Sequence, residues 1–377
     1  MNSIDSVLKD LIKKGGSDLH MMAGEPPRMR VYGTLEVIAE ETIKNDELTM
    51  QLEEIMTAYG RKQFDLHDGV DFAYEIEDVS RFRVNVFRHL NGLGAVFRTI
   101  PSKAASIDAL KLPKVLKSVC NHKQGLILVT GKTGSGKSTT MAALINEVNE
   151  NRKGHILCIE DPIEFVHKRR KCLISQREVG MHTESFAAAL RSALREDPDV
   201  ILVGELRDLE TISLAVTAAE TGILVMGTLH TNRASSTVDR IINAFPAMKQ
   251  AQLRSMLSTS IKAVISQQLV KRADGSGLAA AIEIMINNSA VSNLIREGKS
   301  DQLESAMQSG KSSGMQTMDG TLLKLLRDGV ISPEEAYAKA FDKGNFSGRE
   351  DTLQSTLTAT IDDTQFDKQH DTQFTDS

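Results

Sequence analysis

The first fourteen residues place Ile4, Val7, Leu8, Leu11 and Ile12 three and four apart among charged positions, which predicts an amphipathic helix that stops at Gly15-Gly16. From Ser17 to about Pro101 the pattern is mixed, with a helix expected around Asp46 to Tyr59 and several alternating strands. In one strand, Arg81 to Arg88, Phe82, Val84 and Val86 alternate with Arg81, Arg83 and Asn85; Asn91-Gly92 then leads into Ala95 to Ile100, the pattern of a β-hairpin. Asn91-Gly92 as a two-residue turn pairs Asn85 with Arg98 and puts Arg81, Arg83 and Arg98 on one face. Like charges grouped in this way repel unless an anion is near.

After a connector at Lys103 to Pro113 the texture changes. Leu126 to Thr130, His155 to Ile159, Val200 to Val203 and Leu224 to Thr228 read as buried strands, separated by helices at Thr139 to Asn151, Phe186 to Glu196 and Leu209 to Thr221. Such alternation predicts a parallel sheet with helices on both faces, an α/β fold. Beyond Ala247 the spacing predicts mostly helix, at Gln250 to Val270, Ala290 to Glu297 and Gly320 to Arg327, with a turn at Asp274-Gly275. Residues 350–377 are rich in Thr, Asp and Gln, and Asp363-Thr-Gln-Phe366 recurs as Asp371-Thr-Gln-Phe374; a solvated, disordered acidic tail is expected there.

Length and charge sharpen this division. A chain of 377 residues suits two domains and a tail. The net charge of −5 is carried by the tail, whose seven acids and one Lys leave residues 1–349 at +1. A near-neutral body, in a chain with only sixteen aromatic residues in all, gives little sign of a nucleic-acid groove or stacking platform, so no nucleic-acid partner is expected. Cys120, Cys158 and Cys172 form no Cys-x-x-Cys pair, which excludes a readable disulfide framework or four-thiolate zinc site and fits a reducing, cytoplasmic setting. No apolar run approaches the roughly eighteen residues of a spanning helix, so any membrane association is expected through a partner.

The strongest chemical signal is the run Gly131, Lys132, Thr133, Gly134, Ser135, Gly136, Lys137, Ser138, Thr139, a phosphate-binding loop between a strand and a helix. Its glycines let backbone N–H groups curl around phosphates, Lys137 reaches the β and γ oxygens, and the Ser138 hydroxyl suits Mg²⁺; ATP and Mg²⁺ are therefore expected. Such a site needs carboxylates near the metal and the attacking water. Glu160, Asp161 and Glu164 follow one strand, Glu205 follows another, and His230 follows a third, where it is a candidate sensor of the γ-phosphate.

Together with Leu190 to Asp199, Gly204 to Asp208 and Gly227 to Thr231, these motifs resemble the secretion-ATPase superfamily, and within it the PilT-type ATPases of type IV pilus retraction and twitching motility. Ser17 to His20, Arg81 to Asn85, Phe97 to Pro101, Asn293 to Glu297 and Gly314 to Thr317 extend the resemblance over about residues 3–345. It implies a PAS-like domain over 1–102, a linker over 103–113 and a RecA-like ATPase domain with C-terminal helices over 114–349. It also implies a homohexamer at the inner face of the cytoplasmic membrane, docked on a pilus platform protein and working with other pilus motors. By the same analogy Glu164 is the general base, Glu205 holds Mg²⁺ through water with Glu160 and Asp161 nearby, and Arg81, Arg83 and Arg98 approach phosphate across an interface. Gly204 before Glu205 matches a family whose Walker B segment lacks the usual Asp. Departures are Lys132 where relatives often have Pro, Ile223 where His is frequent, and Ala290-Val-Ser at the start of the Asn293 to Glu297 segment. Pilus or type II secretion assembly ATPases, PilU-like accessory motors and a nucleic-acid translocase are the alternative readings; assembly ATPases commonly carry a four-cysteine zinc insertion, which three scattered cysteines do not supply.

Overall fold

The computed structural model describes residues 3–31, 34–77, 79–100 and 104–346. The acidic tail expected over 350–377, with its two Asp-Thr-Gln-Phe segments, lies outside the described residues. Two compact units emerge. The first holds the described residues to 128, with 138–229 and 259–262; the second holds 129–137, 230–258 and the described residues from 263.

The first unit begins with α1 (Ile4–Lys13), whose Ile4, Val7, Leu8 and Leu11 are buried. A six-stranded antiparallel sheet follows, built from β1 (Gly16–Met22), β2 (Arg28–Val31), β3 (Thr34–Val37), β4 (Gly69–Ile76), β5 (Ser80–His89) and β6 (Gly92–Ile100) in the order β3-β2-β1-β6-β5-β4. Two helices, α2 (Asn45–Ile55) and α3 (Ala58–His67), stand where one was expected over Asp46 to Tyr59. Extended backbone at Met56 and Thr57 ends the first, and the Thr57 hydroxyl accepts the Gly60 N–H at 3.0 Å to start the second. Phe82, Val84, Val86, Ala95 and Phe97 are fully buried with Leu8, Leu19 and Leu48, so one face of the β5–β6 hairpin lies in the core.

The hairpin register differs from the expected one. Arg83, not Asn85, stands opposite Arg98, because the turn is Leu90-Asn91 and His89 pairs with Gly92. Gly92 has φ 128°, and a Cβ there would lie 1.9 Å from Asn45 Oδ1, so this turn requires glycine. The shift is of two residues, an even number, and Arg81, Arg83 and Arg98 still share the outer face.

The same unit then runs through α4 (Val115–Val119), β7 (Gly125–Thr130), α5 (Lys137–Asn151), β8 (His155–Glu160), β9 (Leu173–Glu178), α6 (Phe186–Ala193), β10 (Val200–Val203), α7 (Leu209–Glu220) and β11 (Leu224–Leu229), the last two residues of β7 and the first of α5 falling to the other unit. These strands lie in the order β7-β11-β10-β8-β9; β10 pairs in parallel with β8 and β11, matching Val203 with Ile159 and with Gly227. Every residue of β7, β10 and β11 is buried, the mark of strands covered on both faces. Ser185 and Asp208 cap α6 and α7, accepting the N–H groups of Ala188 and Thr211. β9 was not legible, since Ser175-Gln176-Arg177-Glu178 is polar; it joins as an edge strand parallel to β8. Parallel strands bring Glu160, Glu178 and the Gly204-Glu205 segment to one sheet edge.

The second unit contains α8 (Ala234–Asn243), α9 (Ala247–Ser260), β12 (Ile261–Lys271), β13 (Leu278–Ile286), α10 (Ser289–Glu297), α11 (Leu303–Ser309), α12 (Met318–Arg327) and α13 (Pro333–Lys339), the first residues of β12 and the last of α9 falling to the other unit. The helix expected over Gln250 to Val270 thus ends at Ser260. Residues 263–267 are all buried, so the alternation that marks a half-exposed strand is missing, while β-branched Ile261, Val264, Ile265 and Val270 favour the extended state. β12 and β13 pair antiparallel, with Ser266 opposite Glu283 and Val270 opposite Ala279. The turn expected at Asp274-Gly275 is present but joins two strands: Gly275 has φ 70°, and the Asp274 carboxylate accepts from Arg272 at 2.7 Å. Met318, Leu322, Ile331, Ala336 and Phe346 pack with Val270 and Ala281. Among the described residues no helix is long and apolar enough to cross a membrane.

Candidate active site

The phosphate loop belongs to the second unit. It leaves β7 at Gly131 and winds through Gly134 and Gly136, with φ values of 147°, 78° and 86°, a conformation reserved for glycine. A Cβ at Gly131 would lie 2.3 Å from the Gln267 carbonyl oxygen and 2.4 Å from Ser135 Oγ. Lys137 Nζ donates to the carbonyls of Gly131 at 2.8 Å and Lys132 at 3.1 Å, which curls its side chain along the loop. Lys132, Thr133 and Gly134 are exposed, and the buried Ser135 hydroxyl has no hydrogen-bond partner. Glycines that clear the concave side, an ammonium folded back over it and an orphaned hydroxyl suit a ligand rich in anionic oxygens.

Two residues that sequence reasoning missed brace this loop. Gln267 Nε2 donates to the Ser135 carbonyl at 2.8 Å, and Thr130 Oγ1 donates to Ser266 Oγ at 2.9 Å. Ser266 and Gln267 are polar residues buried in β12 directly after the apolar run Ala263-Val-Ile265, which was the available signal. In the same unit His230 is exposed at the head of the segment that enters α8, whose first N–H, that of Ala234, donates to the Glu283 carboxylate at 2.7 Å.

The candidate carboxylates lie in the first unit, as do Ser138 and Thr139, half-buried in the first turn of α5. Glu160 ends β8 and accepts from Gln176 Nε2 at 3.1 Å. Burial pushes its carboxyl up to about 7, and hydrogen bonds from Gln176 and the Glu164 backbone offset only part of the effect. Asp161 is exposed and Glu164 half-buried. The segment carrying them has no regular structure, so side chains of β9 satisfy its backbone. Gln176 accepts the His167 N–H at 2.9 Å and donates to the Phe165 carbonyl at 2.8 Å, and Glu178 accepts the Ile163 N–H at 3.0 Å. Buried Asn149 holds the far end through the Lys168 carbonyl and the Arg170 N–H.

Glu205 lies two residues beyond β10 and pairs with Arg207 at 2.7 Å. A Cβ on Gly204 would approach the Ile159 carbonyl to 3.2 Å and Glu160 Cα to 3.3 Å, a physical reason for glycine at that position.

The three hairpin arginines share a face with carboxylates, which answers the repulsion expected of them. Arg98 Nε binds Asp18 at 2.8 Å and Arg83 Nε binds Asp71 at 3.5 Å, both within the antiparallel sheet. Burial raises the Asp18 carboxyl, but hydrogen bonds from Arg98 and Ser17 outweigh it and hold the group below the usual range. Arg81 differs: besides Glu75 at 3.3 Å it binds Glu178 of β9 at 2.8 Å, with only 18% of its side chain exposed.

The sequence profile of the family described as "Type II/IV secretion system protein" matches residues 1–339. The Pseudomonas aeruginosa protein named "Type IV pilus retractation ATPase PilT" is 52% identical over 343 residues, 91% of this chain and 99% of its own. A Neisseria gonorrhoeae protein named "Twitching motility protein" is 53% identical over 321 residues, covering 85% and 86% of the two chains. A crystal structure of the pilus retraction motor PilT with bound ADP superposes with a TM-score of 0.85 at 43% identity, over 92% of this chain and 99% of that one.

Proposed function

The chain belongs to the type II/IV secretion system protein family, and on that basis we propose that it is an ATP-hydrolysing motor that powers the retraction of type IV pili in twitching motility. The observation that carries this reading is the phosphate loop, with three left-handed glycines, Lys137 folded over the concave side and the unpartnered Ser135 hydroxyl. Its likeness to a retraction motor seen with ADP supports a nucleoside di- or triphosphate as the ligand.

In this reading the loop N–H groups and Lys137 bind the β and γ phosphates, and Thr139 and the α5 N-terminus add their dipoles. Ser138 and Glu205 would hold Mg²⁺, with Glu160 and Asp161 as further oxygen donors. Hydroxyl and carboxylate oxygens suit that ion. When bound, it would neutralise phosphate charge. Glu164, on its braced segment, takes the proton of the attacking water or orients it, and His230 contacts the γ-phosphate. Arg83 and Arg98, exposed on their sheet, approach the nucleotide of a neighbouring copy in a homohexameric ring. Residues 1–102 then couple the ATPase part, 114–349, to a platform protein at the inner face of the cytoplasmic membrane.

Turnover by the purified full chain tests the chemistry: Lys137→Ala should abolish nucleotide binding, and Glu164→Gln should lower kcat by two orders of magnitude or more while ADP still binds. Deleting the gene should leave excess pili that do not retract. Loss of pili would refute the assignment to retraction.

A further inference from the structure

We propose that Arg81 acts within its own chain, as a positioning residue that holds the segment bearing Glu164 through Glu178. One carboxylate oxygen joins the two. Glu178 Oε2 accepts from Arg81 Nη2 at 2.8 Å and from the Ile163 N–H at 3.0 Å, and Ile163 immediately precedes Glu164. The Glu178 side chain is 4% exposed, and the Arg81 guanidinium is the charged partner it is paired with. The rest of Glu178 is fixed as well: its backbone N–H donates to His182 Nδ1 at 3.0 Å and its carbonyl accepts the His182 N–H at 2.8 Å. Gln176, on the same strand, holds Phe165 and His167 just beyond Glu164.

Arg83 and Arg98 find their carboxylates on their own sheet, whereas Arg81 leaves its sheet to reach β9. Tyr59 of α3 approaches the same place, since a Cβ on Gly180 would lie 2.7 Å from its ring. The N-terminal hundred residues therefore touch the end of β9 twice, and the position of the general base depends on them. This chemistry separates Arg81 from its two neighbours, whose exposure leaves them able to serve another subunit. The inference rests on the ATPase reading, and two of its tests do not require turnover.

Loss of Arg81 alone leaves a buried carboxylate uncompensated, whereas Glu178→Gln removes the charge and keeps an oxygen for the Ile163 N–H. Arg81→Gln should lower kcat about tenfold with KM and mant-ADP affinity within twofold of the parent, and should speed amide hydrogen exchange over residues 162–166. The double variant Arg81→Gln/Glu178→Gln should recover at least half of both losses. Rings mixed from Arg81→Gln and Lys137→Ala subunits should gain no turnover, because a residue acting within its chain cannot be supplied by a neighbour. Restored turnover in mixed rings would overturn the proposal, as would unchanged exchange over 162–166 in Arg81→Gln. Absence of turnover in the parent chain would instead refute the ATPase reading, and the exchange measurement would still decide the role of Arg81.

Discussion

Glu160 offers a sharp quantitative test, because burial raises its carboxyl from 4.5 to about 7. A raised carboxyl means that the folded state resists ionisation. The stability attached to the neutral form is therefore fully present below the unfolded value near 4.5 and is lost as pH rises through about 7. Integrating the two titrations gives a loss of about 2.5 kcal/mol between pH 5 and pH 8. Glu160→Gln cannot ionise and keeps an oxygen to accept from Gln176, so it escapes the loss. In nucleotide-free, magnesium-free buffer the melting temperature of the variant relative to the parent should climb with pH, by roughly 3 °C from pH 5 to pH 8. The assay is a pair of thermal melts at half-unit pH steps, followed by fluorescence or calorimetry. A difference in melting temperature that stays flat across pH 5–8 would refute the reasoning, since it would mean that Glu160 titrates in the folded chain much as it does in the unfolded one.

Two other perturbations follow from the second unit. Glu283, 2% exposed, accepts the Ala234 N–H at 2.7 Å and the Met318 N–H at 3.2 Å, so it caps the starts of α8 and α12; Glu283→Ala should cost about 2–4 kcal/mol, read as a lower urea midpoint. Gln267→Ala removes the side chain that holds the Ser135 carbonyl, and mant-ADP affinity should fall by roughly fivefold to tenfold, the worth of one hydrogen bond, with the fold intact by circular dichroism.

Much of the fold was legible because the buried parallel strands announce themselves as short apolar runs bounded by caps and turns. Val200 to Val203 could be little else, and the glycines of residues 131–136 fixed the loop and its place between β7 and α5. Legibility failed where burial and period part company. Residues 263–267 are buried on both faces, and without alternation the spacing of Ile261, Val264 and Ile265 mimics a helix. β9 failed in the opposite sense, since its polar side chains are there to serve the loop that holds Glu164, a duty that only the tertiary arrangement discloses. The hairpin shows a third case: its facing was right although its register was two residues off, because strand facing depends only on parity. The carboxylates that meet those arginines, Asp18, Asp71, Glu75 and Glu178, come from β1, β4 and β9, and nothing local to the hairpin could reveal them.

The β12–β13 ladder runs from the phosphate loop to the starts of two helices. Ser266 and Glu283 are cross-strand partners; one meets Thr130 at the head of the phosphate loop, and the other seats the first turns of α8 and α12. A bound phosphate that reshapes the loop would act on the β12–β13 pair, whose second strand seats both helices through Glu283. Reciprocity then sets the exchange rate between them: whatever docks on α8 or α12 and favours one ladder position changes nucleotide affinity by the same factor by which nucleotide changes that docking.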